Sequence, residues 1–164
     1  MIIVSDTTPI SELAKVAHLD LLPQLFGKVL IPQSVFNELQ VGQHPAAKFV
    51  KNLSWLEVVT VENQQVVEEL QKSFNLHLGE SEAIALAEEI GASQLLIDEK
   101  AARKVAMTRK LPLIGTMGIL LLAKRRGLLD SVKDVLDVLQ IQGTRISDRL
   151  YVQILTLAEE SEGE

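Results

Sequence analysis

Five short apolar runs recur along the chain, and segments with helical character separate them. The first, residues 2–4 (Ile-Ile-Val), shows no polar alternation, as expected of a strand that is buried on both faces of a sheet. Strands that alternate with helices favour a parallel sheet covered by helices on both sides. The sequence therefore predicts an α/β fold of three layers, α/β/α, around a central parallel sheet of about five strands. The runs are residues 2–4, 28–31, 56–60, 94–97 and 113–114.

Proline and glycine mark several helix boundaries. Pro9 and Pro32 stand where helices are expected to start, and Gly91 follows a helical segment as a stop signal. No linker, repeat or low-complexity run interrupts the pattern, so we expect one domain over residues 1–158. The remaining residues, 159–164, are mostly glutamate and are expected to form a frayed or disordered acidic tail.

Composition excludes several classes of protein. The chain has 164 residues, of which 47% are hydrophobic, enough for one domain with a sizeable core. It has no cysteine, which excludes disulfides, thiolate metal sites and cysteine nucleophiles. No apolar run is long enough for a membrane helix, and the start lacks the basic region of a signal peptide. We therefore expect a cytoplasmic protein that does not enter the membrane.

Charge is distributed unevenly along the chain. The net charge of −6 argues against a simple electrostatic nucleic-acid binder. Residues 62–99 carry nine acids and one base, whereas residues 100–126 carry eight bases and no acid. This pattern fits a metal site beside a phosphate-binding surface. The same pattern is equally consistent with helices whose solvated faces carry opposite charges. Composition leaves both interpretations open.

Acids from four chain segments fall at predicted strand ends or in the helices that begin there. Ligands of parallel α/β sheets bind beyond the carboxyl ends of the strands, so these acids are expected to share one rim. Each has a structural alternative as a helix cap or as a partner of the helix dipole. Taken together, they predict a functional site. The acids are Asp6, Glu38, Glu80, Glu82, Asp98 and Glu99.

A cluster of carboxylates needs a cation to remain ionised. Ligands that are all oxygen select Mg²⁺ or Mn²⁺, and the three scattered histidines show no zinc-ligand spacing. Such an ion activates water for phosphodiester hydrolysis without a side-chain nucleophile. Lys100, Arg103 and Lys104 follow Asp98 within two helical turns and are expected to bind the phosphates of a substrate.

Several segments resemble the motifs of PIN domains, a family of small nucleases. The opening strand with its aspartate, the proline-started helix with its glutamate, and two further acidic segments occur in the family's order. A fifth segment is similar to a subgroup of prokaryotic PIN-like proteins near toxins of VapBC type. The segments are residues 3–9 (IVSDTTP), 31–39 (IPQSVFNEL), 79–87 (GESEAIALA), 95–99 (LLIDE) and 111–118 (LPLIGTMG).

The resemblance implies a single PIN-like domain that acts as a Mg- or Mn-dependent endoribonuclease, of the kind that serves as a toxin paired with a small antitoxin protein. A catalytically inactive PIN-like module that binds RNA or protein is the alternative. The implied catalytic, metal-binding acids are Asp6, Glu38, Glu82 and Asp98, with Glu80 and Glu99 as rival metal ligands. Thr7, Thr8 and Thr116 are implied to hydrogen-bond the site. The third acid is a glutamate where aspartate is usual, and no Ser or Thr precedes the fourth.

Three other α/β families fit less well. A response-regulator receiver would carry an acidic pair after the first strand, but Asp6 stands alone. A haloacid-dehalogenase phosphatase would carry an aspartate two residues later, where Thr8 stands, and so would lack its general acid. Residues 115–118 (GTMG) lack the lysine and the spacing of a P-loop.

Two segments are more apolar than one face of a helix requires. They are Leu19, Leu21, Leu22, Leu25 and Phe26, and Ile119, Leu120, Leu121 and Leu122. The family resemblance implies a homodimer and a helical antitoxin segment in a groove near the acids. These segments add a physical reason to expect such partners, because exposed apolar patches mark interaction sites. The alternative is that both segments pack inside the domain.

Overall fold

A five-stranded parallel sheet lies at the centre of the computed structural model, which describes residues 1–41, 44–47 and 50–161. The strand order is β3-β2-β1-β4-β5, and every neighbouring pair is parallel. Each strand coincides with a predicted apolar run to within one residue, so the predicted sheet is confirmed. The strands are β1 Ile3–Ser5, β2 Val29–Pro32, β3 Leu56–Val59, β4 Gln94–Leu96 and β5 Leu113–Ile114.

Nine α-helices and one 3-10 helix, Val50–Asn52, surround the sheet in the described ranges. Gly91 ends the fifth of them in the left-handed region at φ 64°, as its position in the sequence predicts. None of the helices described is long and apolar enough to cross a membrane. The helices are α1 Thr7–Lys15, α2 Leu21–Phe26, α3 Gln33–Leu39, α4 Gln64–Phe74, α5 Leu78–Ile90, α6 Lys100–Thr108, α7 Thr116–Arg125, α8 Val132–Ile141 and α9 Asp148–Leu157.

The sheet separates two hydrophobic cores. Ile3 and Val4 are adjacent in β1 and fully buried, yet they belong to different cores, because successive side chains of a strand point to opposite faces. Residues of α1–α3 and α7–α9 pack with Ile3, whereas residues of α4–α6 pack with Val4. The sheet is therefore the middle of three layers, as predicted.

The order of the strands reverses at β1. From this central strand the chain continues to β2 on one side, while β4 pairs on the other side. Ligand sites of open α/β sheets lie in the crevice at such a point, beyond the carboxyl ends of the strands. The amide of Asp6 donates to the carbonyl of Leu96 at 2.9 Å, which fixes the first residue after β1 against β4.

The expectation that the two apolar segments are exposed is wrong. Leu21, Leu22, Leu25 and Phe26 of α2 are at most 7% exposed and belong to the core on the Ile3 side of the sheet. In α7, Ile119 and Leu120 are fully buried, and Leu121 and Leu122 pack against the same core. Helices α8 and α9 both contact α7 and contribute buried residues to this core. The apolar segments therefore give no reason to expect a dimer.

The chain beyond Ala158 also differs from the expectation of a free tail. The carboxylate of Glu160 accepts hydrogen bonds from the amides of Val132 and Lys133 at 2.8 and 3.1 Å, at the start of α8. It also accepts one from the Lys124 ammonium at 2.9 Å. These bonds hold the chain to α7 and α8 at this point, whereas residues 162–164 of the predicted tail lie outside the described residues.

Candidate active site

A pocket of about 440 Å³ opens at the carboxyl end of β1, beside the starts of α1, α3 and α5. Its lining combines carboxylates with hydroxyl groups, and no lysine or arginine is among the described residues that form it. The pocket therefore concentrates negative charge at the predicted rim. The lining residues are Asp6, Thr7, Thr8, Ser34, Glu38, His77, Leu78, Gly79, Glu80 and Glu99.

Asp6 is the most buried acid of this lining, with 4% of the residue exposed. The pKa of Asp6 is raised to about 7, chiefly by burial, although a hydrogen bond from the Thr7 backbone opposes the rise. The nearby carboxylates of Glu80, Glu38 and Asp98 contribute to the same rise. A carboxyl group in this position needs a proton or a cation at neutral pH.

Glu38 and Gly79 complete the immediate surroundings of Asp6. The hydroxyl of Thr7 donates to Glu38 Oε2 at 3.0 Å, so α1 orients the acid that α3 supplies. A Cβ atom at Gly79 would lie 3.3 Å from Glu38 Oε2 and 3.6 Å from Asp6 Oδ1. The two carboxylates therefore face the same bare stretch of backbone in the first turn of α5, where a side chain would fill the space beside them.

Glu80 and Glu82 differ sharply in their surroundings. Glu80 lines the pocket, is 9% exposed and accepts a hydrogen bond from the His77 amide at 2.9 Å. Glu82 is absent from the pocket lining and accepts hydrogen bonds from the amide of Ser34, at 3.0 Å, and from its hydroxyl. Glu82 therefore satisfies an otherwise unpaired amide in the first turn of α3. Of the two, the structure brings Glu80 to Asp6.

Asp98 lies just outside the pocket lining but close enough to affect Asp6. Its carboxylate accepts hydrogen bonds from the amide and the hydroxyl of Thr116, at 2.7 and 2.5 Å. Burial raises the pKa of Asp98, and the nearby Glu12 carboxylate raises it too, while the two Thr116 bonds and Arg103 lower it. Thr116 is thus placed as the resemblance implies, next to the fourth acid.

Glu99 and Thr8 lie at the exposed side of the pocket lining. The Glu99 carboxylate accepts a hydrogen bond from the Ala101 amide at 3.4 Å, as the N-cap of α6. It thus has both a capping role and access to the pocket, while Asp98 is the less exposed of the two adjacent acids.

The three predicted RNA-binding bases have different environments in α6. Lys100 and Lys104 are exposed. Arg103 is partly buried, and its guanidinium donates to the carbonyl of Ile97 at 2.7 Å, at the end of β4. Arg103 therefore stabilises the backbone that carries Asp98, while phosphate binding by Lys100 and Lys104 stays a prediction.

Sequence reasoning missed five residues of this region. Ser34, His77, Leu78 and Gly79 line the pocket, and Glu12 lies near enough to Asp98 to raise its pKa. Ser34 and Gly79 occupy first turns of helices at the predicted rim, so the rule that located the acids would also have found them. His77 carries no such signal, because its spacing from the other histidines argues only against zinc.

The donor set fits a hard divalent cation by its chemistry. The acids present only oxygen, and among the residues described no lysine or arginine lines the pocket to neutralise them. No group of three or more acidic, histidine or cysteine side chains in the described chain has metal-binding spacing. The carboxylates therefore have to move closer together for a metal to bind.

The chain matches a family model described as a PIN domain over residues 2–160, which is nearly its whole length. Neither the search of curated proteins nor that of solved structures gave a significant match. The family match includes Glu160, in agreement with the attachment of this residue to the fold.

Proposed function

Because this chain belongs to the PIN-domain family, we propose that it is a metal-dependent nuclease that hydrolyses phosphodiester bonds of RNA at the acidic pocket. The observation that carries the proposal is the state of Asp6, a buried carboxyl whose pKa is raised to about 7 by burial and by neighbouring carboxylates. A divalent cation would stabilise the ionised form of Asp6 against burial and against the repulsion of the neighbouring carboxylates. It would also allow an anionic phosphate to approach a surface that would otherwise repel it.

In this proposal Asp6, Glu38, Glu80 and Asp98 hold Mg²⁺ or Mn²⁺, the ions that oxygen ligands select. A bound ion would supply positive charge that orients the scissile phosphate, lowers the pKa of an attacking water and stabilises the leaving oxygen. Glu80 replaces Glu82 in this set, because Glu80 lines the pocket and Glu82 binds Ser34.

The remaining polar groups hold the acids in place. Thr7 fixes Glu38 from α1, and Thr116 fixes Asp98 from α7. Without such bonds, like-charged side chains would turn away from one another. Glu99 is proposed as an outer ligand of metal or water, since it lines the pocket from the start of α6.

Lys100 and Lys104 are proposed to bind substrate phosphates near the metal. Charge reversal of both lysines should weaken RNA binding and reduce the slope of its salt dependence by about one unit for each phosphate that is no longer neutralised. Arg103 is a poor target for this test, because its replacement would also free the carbonyl of Ile97. An unchanged salt slope would show that the lysines form an ordinary solvated face.

Cleavage of total cellular RNA by the purified protein tests the proposed activity. We expect cleavage with Mg²⁺ or Mn²⁺, none with EDTA, and none with Asp6→Asn. The matched control is Asp20→Asn, which changes an exposed aspartate that makes no side-chain cap bond. Equal activity of Asp6→Asn and the parent would refute the proposal, as would cleavage that persists in EDTA.

The inactive PIN-like module is the alternative outcome of this test, and RNA binding without cleavage would identify it. The homodimer and the small antitoxin protein, which the family resemblance implies for toxin-like members, remain predictions. Light scattering at micromolar concentration tests the dimer. Growth of cells that express the protein without its gene neighbour tests the toxin role.

A further inference from the structure

Two exposed residues at the start of α5 line one side of the acidic pocket without packing into a hydrophobic core. His77 precedes this helix, and 93% of its side chain is exposed. Leu78, the first residue of the helix, is 46% exposed. Both line the pocket that contains Asp6, and neither belongs to either hydrophobic core of the described chain. An exposed ring and an exposed leucine therefore stand beside the carboxylates.

One edge of the His77 ring faces Glu80, and most of the ring is exposed to solvent. Its Nδ1 is 3.6 Å from Glu80 Oε1, and the His77 amide donates to the same oxygen at 2.9 Å. The hydrogen bond from the His77 backbone amide to Glu80 does not depend on the side chain of residue 77. It therefore persists in any substitution of His77 other than proline. The position of Glu80 can thus be kept while the ring is changed.

Only backbone separates these two residues from the acids. Gly79 follows Leu78 directly, and a Cβ there would lie within 3.6 Å of oxygens of both Glu38 and Asp6. A ligand group that contacts His77 and Leu78 therefore lies next to a ligand group bound between the carboxylates of Asp6 and Glu38. If a phosphate is bound there, the adjacent group is a nucleobase of a nucleotide flanking that phosphate.

We propose that His77 and Leu78 form a platform on which a nucleobase beside the scissile phosphate stacks, an inference that rests on the proposed nuclease function. Unpaired bases stack on aromatic side chains, and this binding tolerates any sequence because every base has a π-face. The lining described for this pocket has no lysine or arginine, so phosphate contacts there contribute little affinity of their own. Base stacking supplies binding that does not depend on those contacts.

Fluorescence anisotropy with a labelled single-stranded RNA tests the platform. The titration keeps the parent carboxylates and uses Ca²⁺ in place of Mg²⁺ or Mn²⁺, so that a cation stays among them, and electrophoresis of the RNA afterwards verifies that it is intact. Under these conditions His77→Ala should raise the Kd by about tenfold, the scale of losing one stacked base. His77→Phe should restore the parent Kd, because it keeps a ring and loses both nitrogens. His18→Ala is the matched control, since His18 lies outside this pocket lining.

A chain of the same length built from abasic nucleotides separates stacking from phosphate binding. Under the same conditions, His77→Ala should leave the Kd for this abasic chain unchanged. An equal loss of affinity for RNA and for the abasic chain, or failure of His77→Phe to restore RNA binding, would overturn the platform.

Cleavage assays of the parent distinguish the two proposals. A parent that cleaves, combined with an unchanged Kd in His77→Ala, overturns the platform alone. A parent without metal-dependent cleavage overturns the nuclease and the platform with it.

Discussion

Thr116 holds Asp98 through two hydrogen bonds, from its amide to Oδ1 at 2.7 Å and from its hydroxyl to Oδ2 at 2.5 Å. The two residues follow neighbouring parallel strands, Asp98 after β4 and Thr116 after β5. Burial raises the pKa of Asp98, and these two bonds lower it. Thr116 therefore helps to keep a partly buried carboxylate ionised, the state in which a carboxylate binds a cation.

The variant Thr116→Val tests this role because it removes the hydroxyl bond and keeps the amide bond. Loss of the hydroxyl bond raises the pKa of Asp98, so the carboxylate is protonated at higher pH than in the parent. We expect the acidic limb of the pH–activity profile to move to higher pH. Cleavage at low pH should fall by about tenfold, the scale of one lost hydrogen bond to a charged group.

Thr60→Val is the control for that profile, since Thr60 is exposed and lies outside the pocket lining. A profile of Thr116→Val that falls equally at every pH would contradict the role of Thr116 in the ionisation of Asp98.

Asp6→Asn should stabilise the metal-free protein in a pH-dependent way. The folded-state pKa of Asp6 is about 7, above its usual 3.8, so the folded state binds the proton more tightly than the unfolded state. The stability of the parent is therefore fully present below about pH 4 and declines as the pH rises to about 7. Urea unfolding in EDTA should show the variant more stable at pH 8, by on the order of 3 kcal/mol, with a smaller difference at pH 4.

Addition of Mg²⁺ or Mn²⁺ at pH 8 should then stabilise the parent and not Asp6→Asn. Asp20→Asn should match the parent in both measurements, because Asp20 is exposed and lies outside the pocket lining. A stability difference between Asp6→Asn and the parent that does not depend on pH would show that the pKa of Asp6 is not raised in the folded protein.

Gly79→Ala should impair metal binding without unfolding the protein. The new methyl group would lie 3.3 Å from Glu38 Oε2 and 3.6 Å from Asp6 Oδ1, in the space between the acids and α5. Alanine stabilises a helix by up to about 1 kcal/mol relative to glycine, so the thermal stability of the variant in EDTA should equal or exceed that of the parent. Calorimetric titration should show weaker Mn²⁺ binding, and an unchanged affinity would exclude the proposed position of the metal.

The sheet and its acidic rim were predictable because strong local signals specify them. The run at residues 2–4 is apolar without alternation, and Asp6 follows it closely, so a buried strand with a carboxylate at its end was the simplest interpretation. Parallel topology then gathers the ends of β1, β2 and β4 at one edge. Asp6, Glu38 and Asp98 depend only on this rule, and the structure places all three at that rim.

The burial of α2 and α7 was not predictable from their own sequences. Their apolar residues exceed what one helix face needs, but whether they are exposed depends on what covers them. Helices α8 and α9 add buried residues such as Val132, Leu136 and Ile154 to the same core. A local pattern cannot show that a later segment of the chain packs over an earlier one.

Glu160→Gln should destabilise the protein and leave the active site intact. Burial alone would raise the pKa of Glu160, but the bonds from Lys124 and from the amides of Val132 and Lys133 lower it below its usual value. The stability that this group contributes is thus present at neutral pH and is lost as the pH falls through the lowered pKa. We expect a loss of about 1–3 kcal/mol at pH 7 by urea unfolding, a smaller loss at low pH, and normal metal affinity. Glu159→Gln, at an exposed neighbour, is the control.

Glu80→Gln and Glu82→Gln should have opposite phenotypes, although the sequence motif favoured Glu82 as the ligand. Two residues apart on a helix differ by roughly 200° in direction, so the motif could not decide which one faces Asp6. In the structure Glu80 raises the pKa of Asp6, whereas Glu82 binds Ser34 in the first turn of α3. Glu80→Gln should reduce cleavage by at least about tenfold, the scale of one charge-assisted interaction, and keep stability. Glu82→Gln should lower the unfolding free energy by about 1–2 kcal/mol. It should change the metal affinity less than Glu80→Gln does. Glu68→Gln on α4 controls for loss of one exposed charge, and the reverse order of the two phenotypes would restore Glu82 as the ligand.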